Sequence, residues 1–139
     1  MIAAAPPPIV VIDRAGDSGS AADITKVRVT TSAKGRIAFV VVLATPYGKS
    51  SSLYVYFGTQ YRLGPGGLEV WDPPANEYEP LGSESGTFSV APGGRAVGLS
   101  TELSELGNPK TFRFTVQSLD GDGGPGQMDS TAAATWRRR

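Results

Sequence analysis

The chain contains no cysteine and no histidine. The first absence excludes disulfides, thiolate nucleophiles and cysteine-ligated zinc. The second removes the commonest zinc ligand and the commonest general base, so a Ser-His-Asp triad cannot be assembled. Neither sign of charge is in excess: Lys plus Arg and Asp plus Glu each number 13. A nucleic-acid binder needs a net basic face to release counterions from phosphate, and a membrane-surface protein needs a polybasic patch. The balance argues against both. The one cationic cluster, Arg137–Arg138–Arg139, reads as a frayed basic tail. No apolar run approaches the ~20 residues of a membrane-spanning helix. The longest, IAFVVVLA at 37–44, has strand length. The start, MIAAAPPPIVV, lacks the basic region of a complete signal peptide, and its small and proline-rich composition looks like the beginning of a mature secreted chain.

What is present is glycine (18), proline (11) and alternation of period two. DITKVRVTT (23–31) alternates and is rich in β-branched residues, and 35–44 is apolar on both parities, which predicts a central strand covered on both faces. In 51–59, Leu53, Val55 and Phe57 share one face while Ser52, Tyr54 and Tyr56 share the other. LEVW (68–71) predicts a short strand between the turns LGPGG and DPPANE. Two short strands flank a turn at Ala91–Gly94, and 110–119 alternates most cleanly, with Phe112, Phe114 and Val116 on one side. A last short strand ends near Trp136. The one helical signal is a turn at 101–106, with Ser100 or Thr101 as its cap and Gly107 and Pro109 as its stop. About eight to ten strands at roughly ten-residue spacing predict an all-β, two-sheet antiparallel sandwich, of jelly-roll or immunoglobulin-like type. The expected layout is a flexible proline-rich segment over 1–8, one domain over 9–136 and a tail at 137–139.

Four groups of residues are candidates for function. Asp13 and Asp17 lie in one loop, and Asp120, Asp122 and Asp129 in or beside the glycine-rich run DGDGG. Calcium takes six to eight oxygens from such loops; the same aspartates also suit turns that begin strands. The calcium candidates are Asp13, Asp17, Asp120 and Asp122. Tyr54, Tyr56, Trp71 and Tyr78 are candidates for ligand contact, since flat rings match the axial C–H patches of pyranoses and equally suit protein partners; Trp136 is assigned to the core. Glu102 with Glu105, and Glu77 with Glu79, are the carboxylate pairs nearest to a hydrolytic arrangement, but such pairs are common on exposed turns, and the chain reads as non-catalytic. The IVVI run at 9–12 is either this domain's own first strand or a strand donated to a neighbour's open edge.

The opening DRAGDSGSAADITKVRV, with Asp13, Gly16–Asp17 and Asp23–Ile24, resembles the start of extracellular β-sandwich modules similar to family 9 carbohydrate-binding modules and DOMON-like domains. LSTELSELGNPKTFRFTVQSLDGDG resembles their helical turn, aromatic strand and Asp-rich loop. The middle departs. Where such modules carry an acidic loop after the aromatic strand, this chain reads GTQYRLGPGG, with no acid until Glu69, so no metal role is carried over to that loop. The resemblance implies a secreted or cell-surface module that binds carbohydrate or another extracellular ligand or protein, with calcium as the candidate stabilising ion; charge balance and the lack of a long apolar run add the expectation of no nucleic-acid partner and no membrane insertion. The alternative is a self-associating structural subunit of an extracellular surface or filament. A ligand module gathers the four aromatics on one face; an assembly protein places them beside an open edge.

Overall fold

Alternation along the chain resolves into twelve strands and one 3-10 turn in the computed structural model of the protein, which describes residues 8–13, 22–58, 60–80, 86–121 and 128–138. The strands are β1 (Ile9–Ile12), β2 (Ile24–Thr31), β3 (Arg36–Leu43), β4 (Ser51–Phe57), β5 (Tyr61–Gly64) and β6 (Gly67–Asp72). They continue as β7 (Glu77–Pro80), β8 (Thr87–Val90), β9 (Ala96–Glu102), β10 (Thr111–Asp120), β11 (Met128–Ser130) and β12 (Ala134–Arg137). One antiparallel sheet has the order β1-β2-β3-β9-β8, and the other β11-β10-β4-β5-β6-β7. β11 and β12 divide the outer edge of β10 between them. The molecule is an all-β sandwich, and among the described residues no helix is long and apolar enough to cross a membrane.

The buried parity of each strand supplies the core. Ile37, Phe39, Val41 and Leu43 of β3 face Leu53, Val55 and Phe57 of β4 and Phe114 and Val116 of β10. Phe39 meets Phe57 and Phe114 edge-on, at centroid distances of 5.6 and 5.5 Å. Trp136 is buried and stacks on Phe112 at 4.9 Å. IVVI is a strand of its own domain, paired with β2.

Two expectations need correction. β3 does sit centrally in its sheet, but it is covered on one face only: Val40 is 44 % exposed. Its valines on that parity reflect the strand preference of β-branched residues rather than burial. The helical signal contracts to a 3-10 turn at Leu103–Leu106, because β9 runs on through Ser100 and Thr101 to Glu102. No side chain caps it, and the Ser100 hydroxyl instead accepts a hydrogen bond from Arg36 at 2.8 Å. Tyr61 and Tyr78 lie within the short strands β5 and β7. Pro80 ends β7, an edge position where a missing N–H costs no ladder bond.

Candidate functional site

The register of the seven-stranded sheet decides which side chains meet on its outer face. Tyr56 stands opposite Arg62, Arg62 opposite Glu69, and Trp71 opposite Tyr78. Since Leu53, Val55 and Phe57 point into the core, Tyr54 and Tyr56 point outward. The four aromatics proposed from the sequence therefore come together. Ring centroids lie 6.0 Å apart for Tyr54–Tyr56, 6.1 Å for Tyr56–Tyr78 and 5.1 Å for Trp71–Tyr78. Their planes are inclined by 46° to 64°, so the surface is stepped rather than one flat plate.

Arg62 organises this layer. Its guanidinium lies 4.2 Å from the ring centroids of both Tyr54 and Tyr78, and its Nε donates to Glu69 at 2.7 Å. Burial opposes the charge on Arg62, but the hydrogen bond and charge of Glu69, together with Tyr56 and Tyr54, outweigh it and hold the guanidinium above its ordinary range. Burial likewise pushes the Tyr78 phenol upward, as does neighbouring Tyr56. A cation held over an aromatic face contributes about 0.5–2 kcal/mol, more as water is excluded. The site also depends on a glycine. A Cβ on Gly64 would sit 2.3 Å from the Tyr54 ring, so only glycine lets that ring lie flat across β5.

Beyond Tyr56 the face continues onto β10, where Thr115 stands opposite Tyr56 and Gln117 opposite Tyr54. Two open hollows meet at Gly58 and Arg113. One, of about 250 Å³, is bordered by Tyr56, Thr115 and Ala133. The other, of about 240 Å³, is bordered by Phe57, Tyr61, Leu106, Pro109 and Phe112. Gly58 has φ +60° and borders both hollows, and the space where its Cβ would be is open apart from its chain neighbours.

Of the four calcium candidates, the structure describes two, Asp13 and Asp120. Asp17 and Asp122 lie outside the described residues. Asp13 follows β1 in one sheet, whereas Asp120 ends β10 in the other and accepts a hydrogen bond from Ser50. Among the described residues no three His, Cys, Asp or Glu side chains are grouped to hold a metal ion. Asp129 is buried and bonds the Ile24 amide instead.

Glu102 pairs with Arg36 at 3.0 Å. Glu79 interacts chiefly with Asp72, whose hydrogen bond and charge raise the Glu79 carboxyl above its ordinary range, with Glu77 a lesser neighbour.

Arg62, Gly64, Glu69 and Arg113 were not singled out from the sequence. Their roles depend on hairpin register, and the turns between β4, β5 and β6 leave that register open to several choices. No family model matches the chain, and no curated protein matches it.

Proposed function

We propose that the protein is a non-catalytic extracellular binding module that holds carbohydrate on the outer face of its seven-stranded sheet. One observation carries this reading: Tyr54, Tyr56, Trp71 and Tyr78 are partly exposed together on one sheet face, around a paired Arg62–Glu69. Stacked rings with hydrogen-bonding groups beside them are what a pyranose chain requires, apolar C–H faces against aromatics and hydroxyls against polar side chains. Thr115 and Gln117 supply such groups one strand away. The stepped planes suit a chain crossing the strands better than a single flat sugar. The resemblance of both ends of the chain to family 9 carbohydrate-binding modules and DOMON-like domains supports the same class.

The test is a titration with soluble glucan, xylan and polyuronate oligosaccharides, followed by tryptophan emission. Trp136 is buried at 1 % exposure, so a ligand-dependent change reports Trp71. Trp71→Ala removes that reporter and is titrated by calorimetry instead; it is expected to weaken binding at least about ten-fold, or about 1.4 kcal/mol. If Trp71→Ala binds like the wild type, the aromatic face is not the site.

A second reading, an assembly subunit, has its own observation. The edge strand β1 carries Val10 at 48 % and Ile12 at 72 % exposure, on the outer face of the other sheet. Exposed apolar edges pair readily with other chains. Light scattering on the eluting protein separates the readings: a monomer at all concentrations removes the second, and a concentration-dependent oligomer supports it.

A further inference from the structure

We infer that the sugar taken by this face is acidic, and that Arg113 receives its carboxylate. The inference rests on the carbohydrate reading above and specifies its ligand class. Three arginines among the described residues have outward parity on this sheet, Arg62 of β5, Arg113 of β10 and Arg137 of β12, and of these Arg113 borders the hollows beside the aromatic layer. Arg62 is neutralised by Glu69 and covered by the Tyr54 and Tyr78 rings, so it supports the platform and offers no charge to a ligand. Arg113 is exposed, and the two ion pairs among the described residues, Arg36–Glu102 and Arg62–Glu69, do not involve it.

Its position makes that charge useful. Arg113 borders both hollows, and Tyr56 of the aromatic layer borders one of them. Gly58, which borders both hollows, adds no side chain of its own there. A sugar stacked on Tyr56 can therefore place a ring substituent in the hollow beside Arg113 without meeting a side chain at Gly58. A guanidinium presents parallel N–H donors that match a planar carboxylate with two hydrogen bonds, and such charge-assisted bonds are about twice as strong as neutral ones. A neutral hydroxymethyl group at the same place gains no such pairing. The ligand class is thus a uronate-containing oligosaccharide.

The experiment is calorimetric titration of the full chain with neutral, carboxylated and sulfated oligosaccharides of matched length, at low and high salt. Wild type is expected to bind the uronate at least about ten-fold tighter than the neutral sugar, a difference of about 1.4 kcal/mol. High salt should reduce that preference, because screening weakens exposed charge contacts. Arg113→Gln should bring the acidic-to-neutral affinity ratio close to one, and Arg113→Lys, which keeps the charge but loses the fork, should give an intermediate ratio. An acidic preference that survives in Arg113→Gln overturns the inference. So does equal binding of neutral and acidic sugars, or a sulfated sugar binding as tightly as the uronate with the same dependence on Arg113. The carbohydrate reading stands if neutral sugars bind and Trp71→Ala abolishes it. It falls, and this inference with it, if no sugar binds.

Discussion

Trp136→Ala is expected to lower folding stability by about 3–5 kcal/mol, the range for deleting a buried large aromatic. For a domain whose total stability is about 5–15 kcal/mol, that leaves it close to unfolding. The indole is 1 % exposed and stacks on Phe112 at 4.9 Å with 16° between the planes. Phe112 in turn meets Phe57 at 5.2 Å and Phe114 at 6.1 Å. The indole Nε1 donates to the Thr31 hydroxyl at 2.9 Å, which ties β12 of one sheet to β2 of the other. Alanine would therefore open a cavity, release the short strand β12 and remove the support of Phe112, which borders the hollow next to Arg113. Trp136→Phe keeps most of the ring and loses the N–H, so it should cost distinctly less, with about 1 kcal/mol of it from the hydrogen bond. Urea unfolding followed by circular dichroism measures both variants. A Trp136→Ala midpoint within about 1 kcal/mol of wild type would show that β12 is not anchored as described.

The pleat was legible in the sequence and the register was not. Leu53, Val55 and Phe57 against Tyr54 and Tyr56 gave both the strand and the outward direction of the tyrosines, because alternation is local. Burial of Trp136 was legible for a similar reason, as a large ring in a short terminal strand. Trp71 and Tyr78 could not be placed opposite each other, because that requires knowing which residues of the Pro73–Asn76 turn close the hairpin. The same holds for Arg62 and Glu69, seven residues apart and joined across the tight Pro65–Gly66 turn. The strand β5 was hidden altogether: four residues ending in glycine carry too little alternation to register. Ser100 and Thr101 resembled a helix cap because the residue types that cap helices also suit strands. Long-range pairing of β9 with β3, opposing Ser100 to Ala38 and Thr101 to Ile37, overrode the local signal.

Asp129 was the least legible residue of all, since in the sequence it belongs to an acidic, glycine-rich stretch that suggests a solvated loop. In the folded protein it is 4 % exposed, in the three-residue strand β11, and its Oδ2 accepts the Ile24 amide at 2.8 Å across 105 residues of chain. Next to it the Ser118 hydroxyl donates to the Ala22 carbonyl, and the Asp23 amide donates to the Thr45 hydroxyl at 2.8 Å. The entrance to β2 is thus bound to the opposite sheet by the Asp129 and Ser118 side chains, while Thr45 and Ala44, just beyond β3, hold Asp23 from its own sheet. Asp129→Ala would leave the buried Ile24 N–H without its acceptor and remove a hydrogen bond to a carboxylate, for an expected loss of about 3 kcal/mol. Asp129→Asn keeps an acceptor of the same shape and should lose about 1 kcal/mol. Native-state hydrogen exchange supplies the site-specific reading: the Ile24 amide should be protected in wild type and Asp129→Asn, and exchange by local opening in Asp129→Ala. Equal protection in all three would show that another group satisfies Ile24. The order wild type, Asn, Ala would establish that this carboxylate holds the two sheets together at that end. The seven-stranded sheet then presents its aromatic face from a frame pinned at one end by Asp129 and braced at another contact by Trp136.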